Sequence, residues 1–153
     1  MNGADTFFLD TNILLYSADP ADPNKQAAAQ RWLTILWRHR AGRLSWQVLN
    51  EFYVNAVRKL RTPNRNARMT VETLVLWKPV DMTPTILRRA WHWIDAAQLT
   101  YWDALILATA EAAQCAWLLS EDFQAGRRYG GVTVVNALRE SPDAFGLHDI
   151  GRS

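Results

Sequence analysis

A single cysteine, Cys115, leaves the chain with no means of forming an internal disulfide, and its alanine-rich apolar surroundings predict a small buried thiol. Long apolar runs are missing too. The longest, around Ala104 to Ala113, falls well short of the ~20 residues that span a bilayer, and Phe7-Phe8-Leu9 stops at Asp10. Neither a membrane span nor a secretory signal is therefore expected, and the cytoplasm is the expected compartment. The three histidines, His39, His92 and His148, lack the spacing of zinc ligands, and neither a Gly-x-Ser-x-Gly nor a Walker sequence occurs. These absences count against zinc hydrolase, serine hydrolase and nucleoside-triphosphatase chemistry. No repeat, low-complexity run or convincing linker divides the chain. Its 153 residues, 49% hydrophobic and 21% charged, are expected to form one domain over 1–153, with a core at about 7–136 and a tail at about 137–153.

Charge is unevenly spread. Between Arg31 and Arg68 lie nine Lys and Arg residues against one acid, Glu51, a net +8 in a chain whose total is +2, so the remainder carries −6. Such asymmetry suits a polyanionic partner, but an Arg-rich solvated surface explains it equally well on charge alone.

Hydrophobic periodicity predicts alternating strands and helices. Phe7 to Asp10 reads as a buried strand with Asp10 at its C-terminal end, and Trp117-Leu118-Leu119 as another ending in Ser120, Glu121 and Asp122. Val132 to Val135 reads as a third strand, and Arg43 to Trp46 as a brief one. Apolar stripes predict helices around Ala29 to Trp37, Leu49 to Leu60 with Glu51 off the stripe, and Ile86 to Ala97, followed by a helix buried nearly all round from Ala104. Thr62 to Arg68 reads as a basic loop, Thr70 to Trp77 as a short helix, Pro79 to Met82 as an edge strand, and the tail from Asn136 as loosely determined. The whole predicts an α/β layered domain with a mostly parallel sheet.

In such a sheet, groups at strand C-terminal ends gather along one edge, which brings Asp10 and Asp122 together. Asp103 begins the helix that leads into the Asp122 strand. Each acid also has a local explanation: Thr100 to Asp103 fits a capping box, Asp10 could cap a turn, Glu51 could pair with Asn55 or Arg58, and Asp122 could start a turn. Several carboxylates beside apolar layers need a common compensation, which a divalent cation provides. Oxygen donors without Cys or His select Mg²⁺ or Mn²⁺ over zinc. An acidic metal site fronting a basic segment is what phosphodiester cleavage needs, and this tips the charge asymmetry towards nucleic acid.

At these residues the sequence resembles the PIN-domain nucleases, particularly the VapC-like toxins of type II toxin-antitoxin modules. Phe8 to Leu14, Ser45 to Phe52, Tyr101 to Ile106 and Leu119 to Phe123 look like the family's four motifs in order, and the likeness runs from Phe7 to about Asn136. It implies a three-layer α/β/α domain and a Mg²⁺- or Mn²⁺-dependent endoribonuclease directed at single-stranded RNA and silenced by a cognate antitoxin. Asp10, Glu51, Asp103 and Asp122 map onto the acidic quartet, both catalytic and metal-binding, with Ser120 and Asn12 bracing it. The family's spacing favours Asp122 over neighbouring Glu121. A homodimer is a further implied property.

Arg58, Lys59, Arg61, Arg65 and Arg68 are the candidates for contacts to RNA phosphates or to an acidic antitoxin segment. Eight tryptophans are many for this length. Trp32, Trp37, Trp91 and Trp93 fall near helical stripes, in the core or a dimer interface, whereas Trp46 and Trp102 lie close in sequence to the acids, where they could stack RNA bases. Two other readings remain: a catalytically silent PIN-like module binding RNA or protein, and, more distantly, a metal-dependent phosphatase. The dehalogenase-like phosphatases need a second Asp two residues after the first, and that position holds Asn12.

Overall fold

A computed structural model describes residues 5–149, so the expected domain limits at residues 1 and 153 lie outside the described residues. Strand β1 (Phe7–Leu9) is followed by helices α1 (Thr11–Ala18) and α2 (Pro23–His39), strand β2 (Gly42–Arg43), and helices α3 (Trp46–Arg58), α4 (Asn64–Val75), α5 (Pro84–Ala97) and α6 (Tyr101–Ala112). Strands β3 (Trp117–Leu119), β4 (Arg128–Tyr129) and β5 (Val132–Val135) complete the sheet. Its order is β2-β1-β3-β5-β4, parallel throughout except for β4, which pairs antiparallel with β5. Six helices flank it, as the α/β expectation requires.

The central strands are short and wholly apolar because both of their faces are covered. Phe7, Phe8 and Leu9 are all buried, as are Leu118 and Leu119. In α6 every residue from Ala104 to Ala110 is buried, so this helix is a core element rather than an amphipathic one. Side-chain caps set most helix starts: Asp10, Asp22, Ser45, Thr83 and Thr100 each accept a backbone N–H of the following turn.

Several local expectations are corrected. The chain after Asp10 is the eight-residue helix α1 rather than a turn, with Ile13 and Leu14 facing the core. The supposed basic loop is largely α4, which starts at Asn64. Pro63 holds φ at −54° immediately before it, and Ala67 and Leu74, two turns apart, bury the inner face, so Arg65 and Arg68 are helical. Pro79 to Met82 forms only an isolated bridge, between Val80 and Ser45. Strand β4, not expected, arises from the Gly130-Gly131 turn folding Arg128–Tyr129 back on β5. The brief strand near Arg43 is Gly42–Arg43 and ends before Ser45.

The tail is tied down as far as Asp149. Trp32 donates its indole N–H to the carbonyls of Ala137 and Glu140 at 2.9 and 3.0 Å, and Phe145, in a 3-10 turn over Pro142–Phe145, packs against Phe7, Trp32 and Trp117. No helix among the described residues is long and apolar enough to cross a membrane.

Candidate active site

Leu9 of β1 stands in register with Leu119 of β3, and the Asp10 N–H donates to the Leu119 carbonyl at 3.0 Å. The residues that follow these two strands, Asp10 and Ser120 to Asp122, therefore emerge side by side at the C-terminal edge of the sheet. Glu51 reaches the same place from the second turn of α3, and Asp103 from the first turn of α6.

Asp10 is only 3% exposed. One carboxylate oxygen accepts the Thr11 N–H at 2.7 Å and the other accepts the Ser120 hydroxyl at 2.6 Å. Burial pushes its pKa up to about 7 in spite of the Ser120 and Thr11 bonds, and the charges of Asp122 and Asp103 push in the same direction. Glu51 accepts from Gln47 Nε2 at 2.6 Å and from the Thr11 hydroxyl at 3.4 Å, and burial followed by the Asp103 charge holds its pKa above the usual carboxylate range. Burial raises Asp103 as well, opposed by the Thr100 hydroxyl and reinforced by Asp122. Asp122 is raised by burial and by Glu121, and opposed by Asn12, whose side-chain amide donates to its carboxylate. Mutual repulsion thus links all four acids.

The local explanations for these acids are met in part. Asp10 does cap α1, but with only one of its two oxygens. Thr100 caps α6 by accepting the Asp103 N–H at 3.2 Å. Asn55 donates to the Glu51 backbone carbonyl at 2.8 Å and not to its carboxylate. Among the described residues, no Lys or Arg forms an ion pair with any of the four acids.

Ser120 and Asn12 occupy bracing positions. Besides donating to Asp10, the Ser120 oxygen accepts the Asp122 N–H at 3.1 Å, which fixes the loop that carries the fourth acid. Glu121 is turned away from the cluster, towards the Tyr16 hydroxyl and the Lys25 ammonium, the latter at 3.3 Å. Two participants escaped the sequence reading. Thr11 touches both Asp10 and Glu51, and Gln47, one helical turn before Glu51, clamps its carboxylate and also donates to the Trp102 carbonyl at 3.3 Å. Only the i, i+4 spacing of Gln47 was a visible signal.

Among the described residues, no three acidic, His or Cys side chains converge closely enough to chelate one ion as they stand. Instead Asp10, Glu51 and Asp122 are turned onto the protein donors Ser120, Gln47 and Asn12. The donor chemistry nevertheless suits a hard divalent cation: four carboxylates on one sheet edge, all with raised proton affinity and none neutralised by a cationic side chain.

Beyond Glu51, α3 runs towards the basic residues. Arg58 lies seven positions on, about 10 Å further along the axis and within about 20° of the same face. Arg58, Lys59, Arg61, Arg65 and Arg68 are all exposed, and Arg68 donates to the Tyr53 hydroxyl at 3.0 Å. Arg31 and Arg38, from the same basic segment, are committed elsewhere, to Asp143 and Asp149 of the tail.

The model of the PIN domain family matches residues 7–130, most of the chain and all four acids. The chain belongs to the PIN domain family. Its fold is shared by VapC20 of Mycobacterium tuberculosis, a sarcin-ricin loop cleaving toxin, at 18% identity and a TM-score of 0.60, over 76% of this chain and 90% of that one. It is shared also by VapBC2 of Rickettsia felis, solved bound to a DNA fragment from its promoter, at 15% identity and a TM-score of 0.62, over 84% and 96% of the two chains. No curated protein sequence matches this PIN domain.

Proposed function

We propose that this PIN domain is a Mg²⁺- or Mn²⁺-dependent endoribonuclease acting on single-stranded RNA, and the toxin of a type II toxin-antitoxin pair held inactive by a cognate antitoxin. The observation that carries the reading is the convergence of Asp10, Glu51, Asp103 and Asp122, from four separate elements, on one sheet edge where their charges repel one another. The shared fold of VapC20 and VapBC2 supports the toxin assignment. The proposed active assembly is a homodimer, and its proposed compartment is the cytoplasm.

Asp10 and Asp103 are the principal ligands in this reading, with Glu51 and Asp122 completing the shell. A bound divalent cation would neutralise the cluster, acidify a water and stabilise the leaving oxygen of the phosphodiester. The chain's own part is orientation. Ser120 and Thr11 hold the Asp10 carboxylate, Gln47 holds that of Glu51 and Asn12 that of Asp122. Arg58 to Arg68 supply the cations that draw in and position the RNA backbone, and the same residues would attract an acidic antitoxin segment.

Cleavage of labelled single-stranded RNA in Mg²⁺, Mn²⁺ or EDTA tests the proposal, with Asp10→Asn and Asp103→Asn purified in parallel. The expected result is metal-dependent cleavage abolished in both variants. Cleavage that persists in either variant would identify a contaminating ribonuclease. Inactivity of the wild type on every RNA, with RNA binding retained, would mean a silent binding module.

A further inference from the structure

Between the N-terminal turns of α3 and α6 lies an open groove of about 590 Å³, with Glu51 on its wall. Trp46, the first residue of α3, and Trp102, the second of α6, line it with 41% and 60% of their surfaces exposed, and Tyr101 stands edge-on to Trp102 at 5.0 Å. Exposed indoles are costly in water, and these two follow Ser45 and precede Asp103 in the chain, on a groove that Glu51 also lines. Resting on the nuclease reading above, we propose that this groove is a base-stacking subsite, in which Trp102 and Trp46 hold an unpaired base of the single-stranded RNA next to the bond to be cut.

Two observations select a nucleotide as the occupant. First, the groove is continuous with the proposed site: Glu51 lines it, and Gln47 bridges the Glu51 carboxylate and the Trp102 backbone carbonyl, so the acid and the first turn of α6 are tied together. Second, its far end along α3 leads through Asn55 to Arg58 on the same helical face, and from there to Lys59, Arg61 and Arg65. A strand whose base occupies the aromatic groove and whose backbone leaves it along α3 therefore runs towards Arg58, the pattern of a base and its phosphates. A second copy of the chain filling this groove would cover Glu51, whereas a stacked base leaves that acid free to act on the adjoining phosphate.

The test is RNA binding measured by fluorescence anisotropy in EDTA, on an Asp103→Asn background, with Trp102→Ala, Trp102→Phe, Trp46→Ala and the distant exposed Trp91→Ala. An abasic ribose-phosphate oligomer of equal length serves as the second probe. Stacking is worth enough that Trp102→Ala should weaken RNA binding about tenfold, with Trp102→Phe recovering most of it and Trp91→Ala unchanged. On the abasic oligomer all the proteins should bind alike. Equal losses on RNA and abasic oligomer would overturn the proposal in favour of a structural role for the ring. Unaltered RNA affinity together with a changed sedimentation coefficient would overturn it in favour of an interface between copies. If Trp102→Ala in the otherwise wild-type chain cleaves RNA in Mg²⁺ as well as the wild type does, and the variant's RNA affinity in EDTA is unaltered, stacking alone is refuted. A wild type that neither binds nor cleaves refutes the nuclease reading as well.

Discussion

A carboxylate buried as deeply as Asp10 destabilises the fold whenever it is charged without a counter-ion. The sign follows from linkage. An unfolded chain releases the Asp10 proton near pH 3.8, while the folded protein keeps it until about pH 7. Well below pH 3.8 the residue is neutral in both states and contributes no penalty. As pH rises from the unfolded value through the folded pKa of about 7 the stability is progressively lost, and above that the penalty is complete. Asp10→Asn removes that titration but preserves the contacts, because its side-chain oxygen can still accept the Thr11 N–H and the Ser120 hydroxyl can rotate to accept from the new amide. In EDTA, the variant should therefore melt higher than the wild type at pH 8 and by a clearly smaller margin at pH 5, while added Mg²⁺ should raise only the wild-type Tm. Calorimetry at the two pH values checks this. A difference independent of pH would mean that Asp10 does not titrate in the folded range. The residue scale is also where sequence reading was most uneven. The acids stand out because carboxylates beside apolar runs demand a reason. Thr11 and Gln47 do not, since the Thr11 partner lies 40 residues away and an isolated Gln carries no sign of what it will hold.

Elements were legible in proportion to their apolar periodicity. Helices α2, α3, α5 and α6 present or fill a hydrophobic stripe over three turns or more, and β1 and β3 are unbroken apolar runs, so all six could be read directly. Helix α1, at eight residues, is too short to stand out and depends on the cap at Asp10 and on packing against α2 and α3. Of helix α4 only the second half, from Thr70, was legible, and its first half was concealed by Pro63, a residue that marks a loop or a helix start with equal ease. The sheet edge carries a tighter constraint than periodicity reveals. A Cβ at Gly42 of β2 would lie 2.2 Å from Cζ3 of Trp77, whose ring is stacked on Trp37 at 5.9 Å. Gly42→Ala should therefore displace Trp77 and cost about 1–3 kcal/mol, lowering the Tm by roughly 2–4 °C per kcal/mol. An unchanged melting curve would show that the ring has another place to go.

Across the whole molecule, the structure divides the basic segment into two parts that the sequence could not distinguish. Arg31 and Arg38 are spent on Asp143 and Asp149, anchoring a tail whose Phe145 covers the aromatic cluster of Phe7, Trp32 and Trp117. That docking was hidden because its partners lie more than a hundred residues apart. The stretch from Arg58 to Arg65 carries no ion pair among the described residues, and it begins with Arg58 on the face of α3 that bears Glu51. If these cations release counter-ions from an RNA backbone, the logarithm of the binding constant should fall with the logarithm of salt by about 0.7 for each phosphate neutralised on a single strand. On the cleavage-blocked Asp103→Asn background, replacing Arg58 and Arg65 together with Ala should then flatten that slope by about 1.4, whereas Arg31→Ala should leave it unchanged. The contrast between the two variants carries the test. A slope insensitive to Arg58 and Arg65 would return them to the solvated surface, and a slope equally sensitive to Arg31 would mean that the field of the whole segment, rather than a phosphate track along α3, attracts the polyanion.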